Sequence, residues 1–182
     1  EKGIFLIISS LALLAALFFA SSKARSFRLV IFFSLAAEIA AILFPPSFLS
    51  FRISPYKALP VALKYPQAKT WLTRWNSLSR VDVIASPAVR YAPGLSLLYE
   101  DRLPPQLGLS LDGAELCAVT DFQSLQDPSL AFLSYLPSSL AYSLAKKPRA
   151  LIIEPKGGLD VLAAFFYGAS SVKVIESNPL IP

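Results

Sequence analysis

The stretch that decides the fold covers residues 149–181 and reads RALIIEPKGGLDVLAAFFYGASSVKVIESNPLI. Its first apolar run, residues 150–153, is typical of a strand that is buried on both faces. A turn with two glycines follows at residues 154–158. Residues 159–167 then show helical apolar spacing, and Gly168 is placed to end that helix. The pattern predicts a strand, a glycine turn and a helix in succession.

A second apolar run, residues 172–175, ends on an acid, Glu176. This acid lies about 20 residues beyond Gly157 and Gly158, a separation at which a carboxylate reaches the ribose of a nucleotide bound to a βαβ unit. The backbone amides of the turn and of the helix N-terminus would face the same ligand. The stretch therefore predicts the first half of a nucleotide-binding βαβ unit.

One observation narrows the class of ligand, and another leaves a structural alternative open. The full G-x-G-x-x-G pattern of dinucleotide sites is missing from the turn, which argues against NAD or FAD and favours ligands of the S-adenosylmethionine type. A pair of glycines before a helix is also common in ordinary α/β crossovers, where it only permits close packing. That structural interpretation stays open beside the functional one.

The overall composition favours membrane segments and argues against nucleic acid. The 182 residues are 54% hydrophobic, with a mean hydropathy of +0.55, which is high for an ordinary globular domain. The net charge is +5, but no basic face interleaved with aromatic residues is visible. Attraction to an anionic lipid surface explains this charge more simply.

The lack of certain residue types limits the chemistry. The sequence has no histidine and one cysteine, Cys117. These counts exclude Ser-His-Asp and Cys-His catalysis, and they exclude histidine metal sites, internal disulfides and zinc clusters. Acid–base chemistry must come from Asp, Glu, Lys or Tyr, and we expect no metal.

Two apolar runs near the start predict a membrane-spanning α-helical hairpin within residues 1–46, with helices at about residues 3–20 and 29–44. Glu38 lies within the second run. An ionisable residue at such a position is functional by default, although it could instead face further helices, or the run need not span fully. A cytosolic ligand for the βαβ unit would place the residues after 50 on the cytoplasmic side.

The middle of the chain predicts a connector and then a small antiparallel sheet. The connector, residues 47–79, is rich in proline and tyrosine, and its tryptophans are interpreted as anchoring aromatics. The sheet region, residues 80–122, is expected to contain strands at residues 80–85, 94–99 and 107–111.

Residues 123–182 are interpreted as the start of a Rossmann-like nucleoside-binding domain. It begins with residues 130–145, which are interpreted as a pair of helices or as one helix kinked at Pro137. The chain starts at Glu1 without a methionine and ends just after the second strand of the βαβ unit. We therefore expect a fragment of a longer protein, inactive by itself.

The order of these parts resembles the spermidine synthase (polyamine aminopropyltransferase) family, in its bacterial branch with membrane helices before the catalytic domain. The similarity covers about residues 50–182. It rests on the phrases TRWNSLSRVDVIASP, APGLSLLYEDRLPPQLGLSLDG, LPSSLAY and IEPKGGLDVLAAFFYGA. The resemblance implies a class I S-adenosylmethionine methyltransferase-like (Rossmann-like) domain, here truncated, behind a small antiparallel β-sheet.

The resemblance also implies site residues. Gly157, Gly158 and Asp160 would line the nucleoside-binding turn, Glu176 would hold the ribose, and Asp112 would lie near the sulfur of the ligand. The chain departs from the family in four places, one of which is residues 114–117, where AELC follows LDG without the ligand-binding glutamine of the family. The other three are as follows. The glycine-rich GGGDGG turn is EPKGGL here, the diamine-site residues have no counterpart, and the aspartate that acts on the amine would lie beyond Pro182.

The predicted function is a membrane-anchored transferase that moves an aminopropyl group from decarboxylated S-adenosylmethionine to a polyamine-type amine. The alternatives are an S-adenosylmethionine-dependent methyltransferase acting on a membrane-associated substrate, and a non-catalytic membrane protein that binds a nucleoside or polyamine. The expected partners are a small-molecule amine, membrane lipid and a second copy in a homodimer, without nucleic acid. The expected location is the bacterial inner membrane, with the domain in the cytoplasm.

Overall fold

The computed structural model describes residues 2–19, 25–44 and 53–181. The chain divides into two units, residues 1–52 and residues 53–182, which are described separately.

The first unit contains two helices, α1 (Lys2–Phe19) and α2 (Arg25–Leu43). The Ser10 hydroxyl on α1 donates a hydrogen bond to Oε2 of Glu38 on α2, at 2.7 Å. This bond provides a donor for one carboxylate oxygen of Glu38, which lies among apolar residues in the sequence. Glu38 therefore has a structural partner inside its own unit.

The predicted membrane hairpin is wrong. Among the residues that the structure describes, no helix combines the length and the apolar character needed to cross a bilayer. The uncharged part of α1 rises about 26 Å, which is short of the roughly 30 Å of a hydrocarbon core, and Glu38 interrupts the apolar run of α2. The inner-membrane location deduced from the hairpin is overturned by the same finding. The predicted helix end at residue 20 and the stop at residues 45–46 lie outside the described residues.

The second unit begins with a short helix and a four-stranded antiparallel sheet. Helix α3 spans Ala58–Ala62. The strands pair in sequence order, and their bounds are β1 Lys69–Trp75, β2 Arg80–Ala85, β3 Gln106–Leu111 and β4 Glu115–Thr120. The predicted sheet region thus contains strands at residues 80–85 and 107–111, while β1 lies inside the predicted connector.

Successive side chains along a strand point to opposite faces of the sheet, and in this sheet side chains on both faces are buried. On one face Ile84 packs with Leu59 and Ala62 of α3. On the other face Val81 packs with Leu109 and Cys117, together with Ile181 near the end of the chain. The sheet is therefore a central layer, with α3 on one side and the last residues on the other.

The strand predicted at residues 94–99 is absent. The segment consists of two turns, closed by hydrogen bonds from Leu95 to Ala92 and from Tyr99 to Ser96. Gly94 has φ +73°, and a Cβ there would lie 2.8 Å from Pro137. A left-handed residue in close contact with a proline ring cannot continue a strand.

Of the two arrangements predicted for residues 130–145, the structure contains the pair of helices and not the single kinked helix. A 3-10 helix spans Pro128–Tyr135, and α4 spans Ser139–Ser143. Between them Leu136 is extended, with φ −88° and ψ 150°. A residue before proline avoids helical backbone angles, and Pro137 itself supplies no N–H, so the helix breaks here instead of kinking.

The fold-deciding stretch forms β5 (Arg149–Ile153), α5 (Leu159–Phe166) and β6 (Ser171–Ile175). The two strands are parallel, and Ile153 pairs with Ile175 at their carboxyl ends. Helix α5 buries Leu162, Ala163 and Ala164. The second unit is thus a small α/β fold that combines a four-stranded antiparallel and a two-stranded parallel sheet.

Candidate functional site

The glycine turn lies at the carboxyl ends of the two parallel strands. The Glu154 amide donates to the Ile175 carbonyl at 2.8 Å, which ties the start of the turn to the end of β6. Glu154, Lys156 and Gly158 all have positive φ, of 54°, 51° and 78°. Such angles are unusual for residues other than glycine, and they concentrate at functional sites.

The two glycines of the turn have different surroundings. A Cβ on Gly157 would lie 2.2 Å from the Ala118 carbonyl oxygen, so this glycine lets the turn pack directly on the backbone of β4. A Cβ on Gly158 would meet nothing within 4 Å. Gly157 therefore has a packing role, as the structural interpretation expected, whereas Gly158 adjoins open space.

A cleft of about 360 Å³ lies in front of the turn. Its walls come from the turn, the first residues of α5, strand β4 and two loops. They include Tyr91, Cys117, Ser138, Glu154, Lys156 and Asp160. The volume is in the range of pockets that hold small molecules.

The cleft is acidic because its single cation is already paired. The Lys156 ammonium is hydrogen-bonded to the Glu115 carboxylate in an ion pair. That hydrogen bond is the main reason that the pKa of Lys156 is raised. The Asp160 carboxylate forms no ion pair with any described residue, so the negative charges of Glu154 and Asp160 are not neutralised within the cleft.

The pKa of Glu154 is lowered, chiefly by a hydrogen bond from the Ser177 side chain and also by the neighbouring Glu176 carboxyl. Two carboxyl groups therefore meet where β5 and β6 end. Burial raises the pKa values of Tyr91 and Cys117, which keeps both side chains neutral near pH 7. The ionised groups on the cleft are thus the acids and Lys156.

Glu176 follows β6 directly, at the same edge as the turn. Its Oε1 accepts a hydrogen bond from the Asn178 amide at 2.9 Å. Its Oε2 has less than 1 Å² of exposed surface and no hydrogen-bond partner among the described residues. A buried carboxylate oxygen without a donor costs free energy, which a ligand hydroxyl would recover.

A polar cluster fixes the residues after Glu176. The buried Asn178 donates to the Ser79 hydroxyl and accepts from the Asn76 side chain, both at 2.7 Å. Asn76 in turn accepts hydrogen bonds from the amides of Leu78 and Ser79. The hairpin between β1 and β2 therefore positions the end of β6 and the acid that follows it.

Asp112 has a structural role at the end of β3. It has φ 51°, and its Oδ1 accepts from the Arg80 amide at 2.8 Å. Its carbonyl accepts from the Lys57 ammonium at 2.9 Å. These bonds stabilise the turn between β3 and β4, and Asp112 does not line the cleft.

The structure brings together only some of the predicted site residues. Gly157 and Asp160 line the cleft, and Glu176 stands at the same strand edge without lining it. Gly158 instead lines a neighbouring groove of about 1150 Å³ whose walls are mostly apolar. No three acidic or cysteine side chains are grouped to hold a metal ion within the described parts of the chain.

Sequence reasoning missed Glu154 and Lys156 as cleft residues. A signal for Glu154 was present, because it directly follows β5 as Glu176 follows β6, and the carboxyl ends of adjacent parallel strands meet at one edge. No such signal existed for Lys156, since its pairing with Glu115 of β4 depends on how the two sheets pack.

Comparisons with known proteins do not identify the chain: no protein-family model matches it, and neither a curated protein nor a solved structure matches it significantly.

Proposed function

We propose that this chain carries the nucleoside-binding part of a spermidine synthase-like aminopropyltransferase, and that the cleft takes decarboxylated S-adenosylmethionine. The observation that carries the proposal is the acidic cleft at the carboxyl end of β5, where Glu154 and Asp160 are unneutralised while Lys156 is paired to Glu115. The resemblance stated from the sequence motifs supports the same ligand.

The charge of the cleft fits the charges of this ligand. Decarboxylated S-adenosylmethionine carries a positive sulfonium and a terminal ammonium, and it has no carboxylate. Both cations would be attracted by the carboxylates of Glu154 and Asp160 on the wall of the cleft. S-adenosylmethionine itself has a carboxylate that these acids would repel, so the cleft favours aminopropyl transfer over methyl transfer.

The reaction depends mainly on positioning. An incoming amine attacks the carbon next to the sulfonium, a carbon–nitrogen bond forms, the carbon–sulfur bond breaks and methylthioadenosine leaves. A carboxylate accepts the proton that the amine loses. The residues of the cleft would hold the nucleoside and orient that carbon toward the amine.

In this proposal the Glu176 carboxylate binds the ribose of the ligand. The support is its place directly after β6, beside the turn, and its buried Oε2, which lacks a donor among the residues that the structure describes. A ribose hydroxyl would supply that donor after a small rotation of the side chain. The assignment also follows the separation between the glycines and the acid.

The test is calorimetric titration with decarboxylated S-adenosylmethionine, S-adenosylmethionine and methylthioadenosine. We expect the decarboxylated form to bind more tightly than S-adenosylmethionine. The double variant Glu154→Gln, Asp160→Asn should lower the affinity for decarboxylated S-adenosylmethionine by roughly tenfold or more. It should change the affinity for the neutral methylthioadenosine little. Substitution of Glu176 by Ala should lower the affinity for all three nucleosides.

Asp121→Asn is the control, because Asp121 is exposed and does not line the cleft. A preference for S-adenosylmethionine would contradict aminopropyl transfer and favour a methyltransferase. If none of the three nucleosides bound, the nucleoside site itself would be refuted.

A further inference from the structure

A second cleft, of about 490 Å³, lies at the opposite end of the four-stranded sheet from the turn at Asp112. It is formed where β1 and β3 begin and β2 ends, and it shares no lining residue with the acidic cleft. The volume suits a small molecule and is too small for a folded partner.

The charge of this cleft is entirely positive. Lys69 and Arg90 line it, and no aspartate or glutamate does. Neither cation forms an ion pair with a described residue, whereas Arg80 is paired with Asp82 and Lys156 with Glu115. Both side chains are exposed, so they can reach a ligand without breaking an existing interaction.

The Ser86 and Gln106 side chains of the wall are already hydrogen-bonded within the protein. The Ser86 hydroxyl donates to the Pro66 carbonyl at 2.7 Å. The Gln106 side chain accepts from the Tyr91 amide and donates to the Tyr91 carbonyl, at 2.6 and 3.0 Å. An incoming anion would therefore meet the two cations and the side chain of the exposed Gln67, which also lines the cleft.

The wall is also stiff. Three prolines line it, Pro87, Pro104 and Pro105, and each fixes its own φ angle. The Gln106 side chain further connects β3 to the segment that carries Arg90. A cleft that loses little conformational freedom on binding keeps more of its interaction energy as affinity.

We infer that this second cleft binds a small phosphate-bearing ligand through Lys69 and Arg90. A phosphate monoester or pyrophosphate group has close to two or more negative charges at neutral pH, which two unpaired cations match. A guanidinium binds phosphate oxygens in a bidentate manner, and an ammonium adds a point charge. The prolines and neighbouring aliphatic side chains offer an apolar surface to the rest of the ligand.

Calorimetric titration of the full chain with inorganic pyrophosphate tests this inference, with acetate as the comparison anion. We expect pyrophosphate to bind and acetate to bind at least about tenfold more weakly. The double variant Lys69→Gln, Arg90→Gln should lower the pyrophosphate affinity by roughly tenfold or more. Arg90→Lys keeps the charge but loses the bidentate geometry, and should lower the affinity to a smaller extent.

The matched control is Lys146→Gln with Arg149→Gln, which removes the same two charge types from exposed positions outside the cleft. It should bind pyrophosphate within about twofold of the unchanged chain. An equal loss in both double variants, equal binding of acetate, or no binding of pyrophosphate would each overturn the inference. Because no nucleoside is used, the result is independent of the proposed transferase activity.

Discussion

At the scale of single residues, the positions after the two parallel strands carry most of the functional argument. Glu154 follows β5 and Glu176 follows β6, and hydrogen bonds from the side chain of Ser177 first, and then from that of Glu176, lower the pKa of Glu154. The sequence predicted the second acid, because its separation from the glycines matches a known spacing. It did not distinguish Gly157 from Gly158, since their difference arises from contact with β4, a strand that the sequence pattern did not reveal.

The two glycines provide a matched pair for a stability measurement. We expect Gly157→Ala to lower the free energy of unfolding by about 3 kcal/mol or more, because its Cβ would lie 2.2 Å from the Ala118 carbonyl. Gly158→Ala should cost about 1 kcal/mol, since the position has φ +78° but open surroundings. Urea denaturation followed by circular dichroism measures both. Equal losses would contradict the packing role of Gly157.

At the scale of elements, apolar runs and helical spacing located most segments, but the expectation that residues 150–153 form a strand buried on both faces is wrong, since Leu151 and Ile153 of β5 are exposed. Strands β2, β3, β5 and β6 and helix α5 lie at their predicted positions within one or two residues. Strand β1 was missed because all seven of its residues are exposed, so its side chains show no alternation between buried and exposed positions. The sequence left open a pair of helices or one kinked helix over residues 130–145, and the structure shows the pair, separated at Pro137.

The start of the 3-10 helix predicts a pH dependence of stability. Oδ1 of Asp127 accepts from the Ser129 amide at 2.9 Å, and the hydrogen bonds from Ser129, first from its amide and then from its side chain, lower the pKa of Asp127. A carboxyl group whose pKa is lower in the folded state stabilises the protein above its unfolded pKa of about 3.9. That contribution is lost as the pH falls through the lower folded value.

We therefore expect Asp127→Ala to lower the urea midpoint at pH 7, and the difference from the unchanged chain to shrink as the pH falls below about 4. Asp127→Asn is the matched control, because asparagine also caps helices but does not titrate in this range. Its difference from the unchanged chain should also shrink in acid, but from a smaller value at pH 7. A difference for Asp127→Ala that stayed constant from pH 7 to pH 2.5 would show that the charge of Asp127 is not involved.

At the scale of the whole molecule, the membrane hairpin was predicted from two apolar runs together with the high mean hydropathy, and the structure contradicts it. The first uncharged run is at the lower limit of the length that crosses a bilayer, and Glu38 interrupts the second run. Three clusters of buried apolar residues lie within residues 53–181. The second unit thus contains its own core.

This distribution predicts that residues 53–182 fold without the first unit. The reason is that every buried residue of those three clusters comes from this part of the chain, and a unit with its own core can fold alone. Urea denaturation of the isolated segment should give a cooperative transition by circular dichroism and by tryptophan fluorescence, with coincident midpoints. A gradual change without a transition would mean that residues 1–52 are needed for the fold.

Because Gly157 and Gly158 have different surroundings, retention of glycine in homologues has a different meaning at each of the two positions. A glycine retained at position 157 in diverging homologues would report only that the turn still rests on the backbone of β4. A glycine retained at position 158 has no such steric reason, apart from its φ of +78°, which asparagine or aspartate can also adopt at modest cost. Selection that rejects even those residues at position 158 would therefore indicate a molecule that approaches the turn closely from the open side.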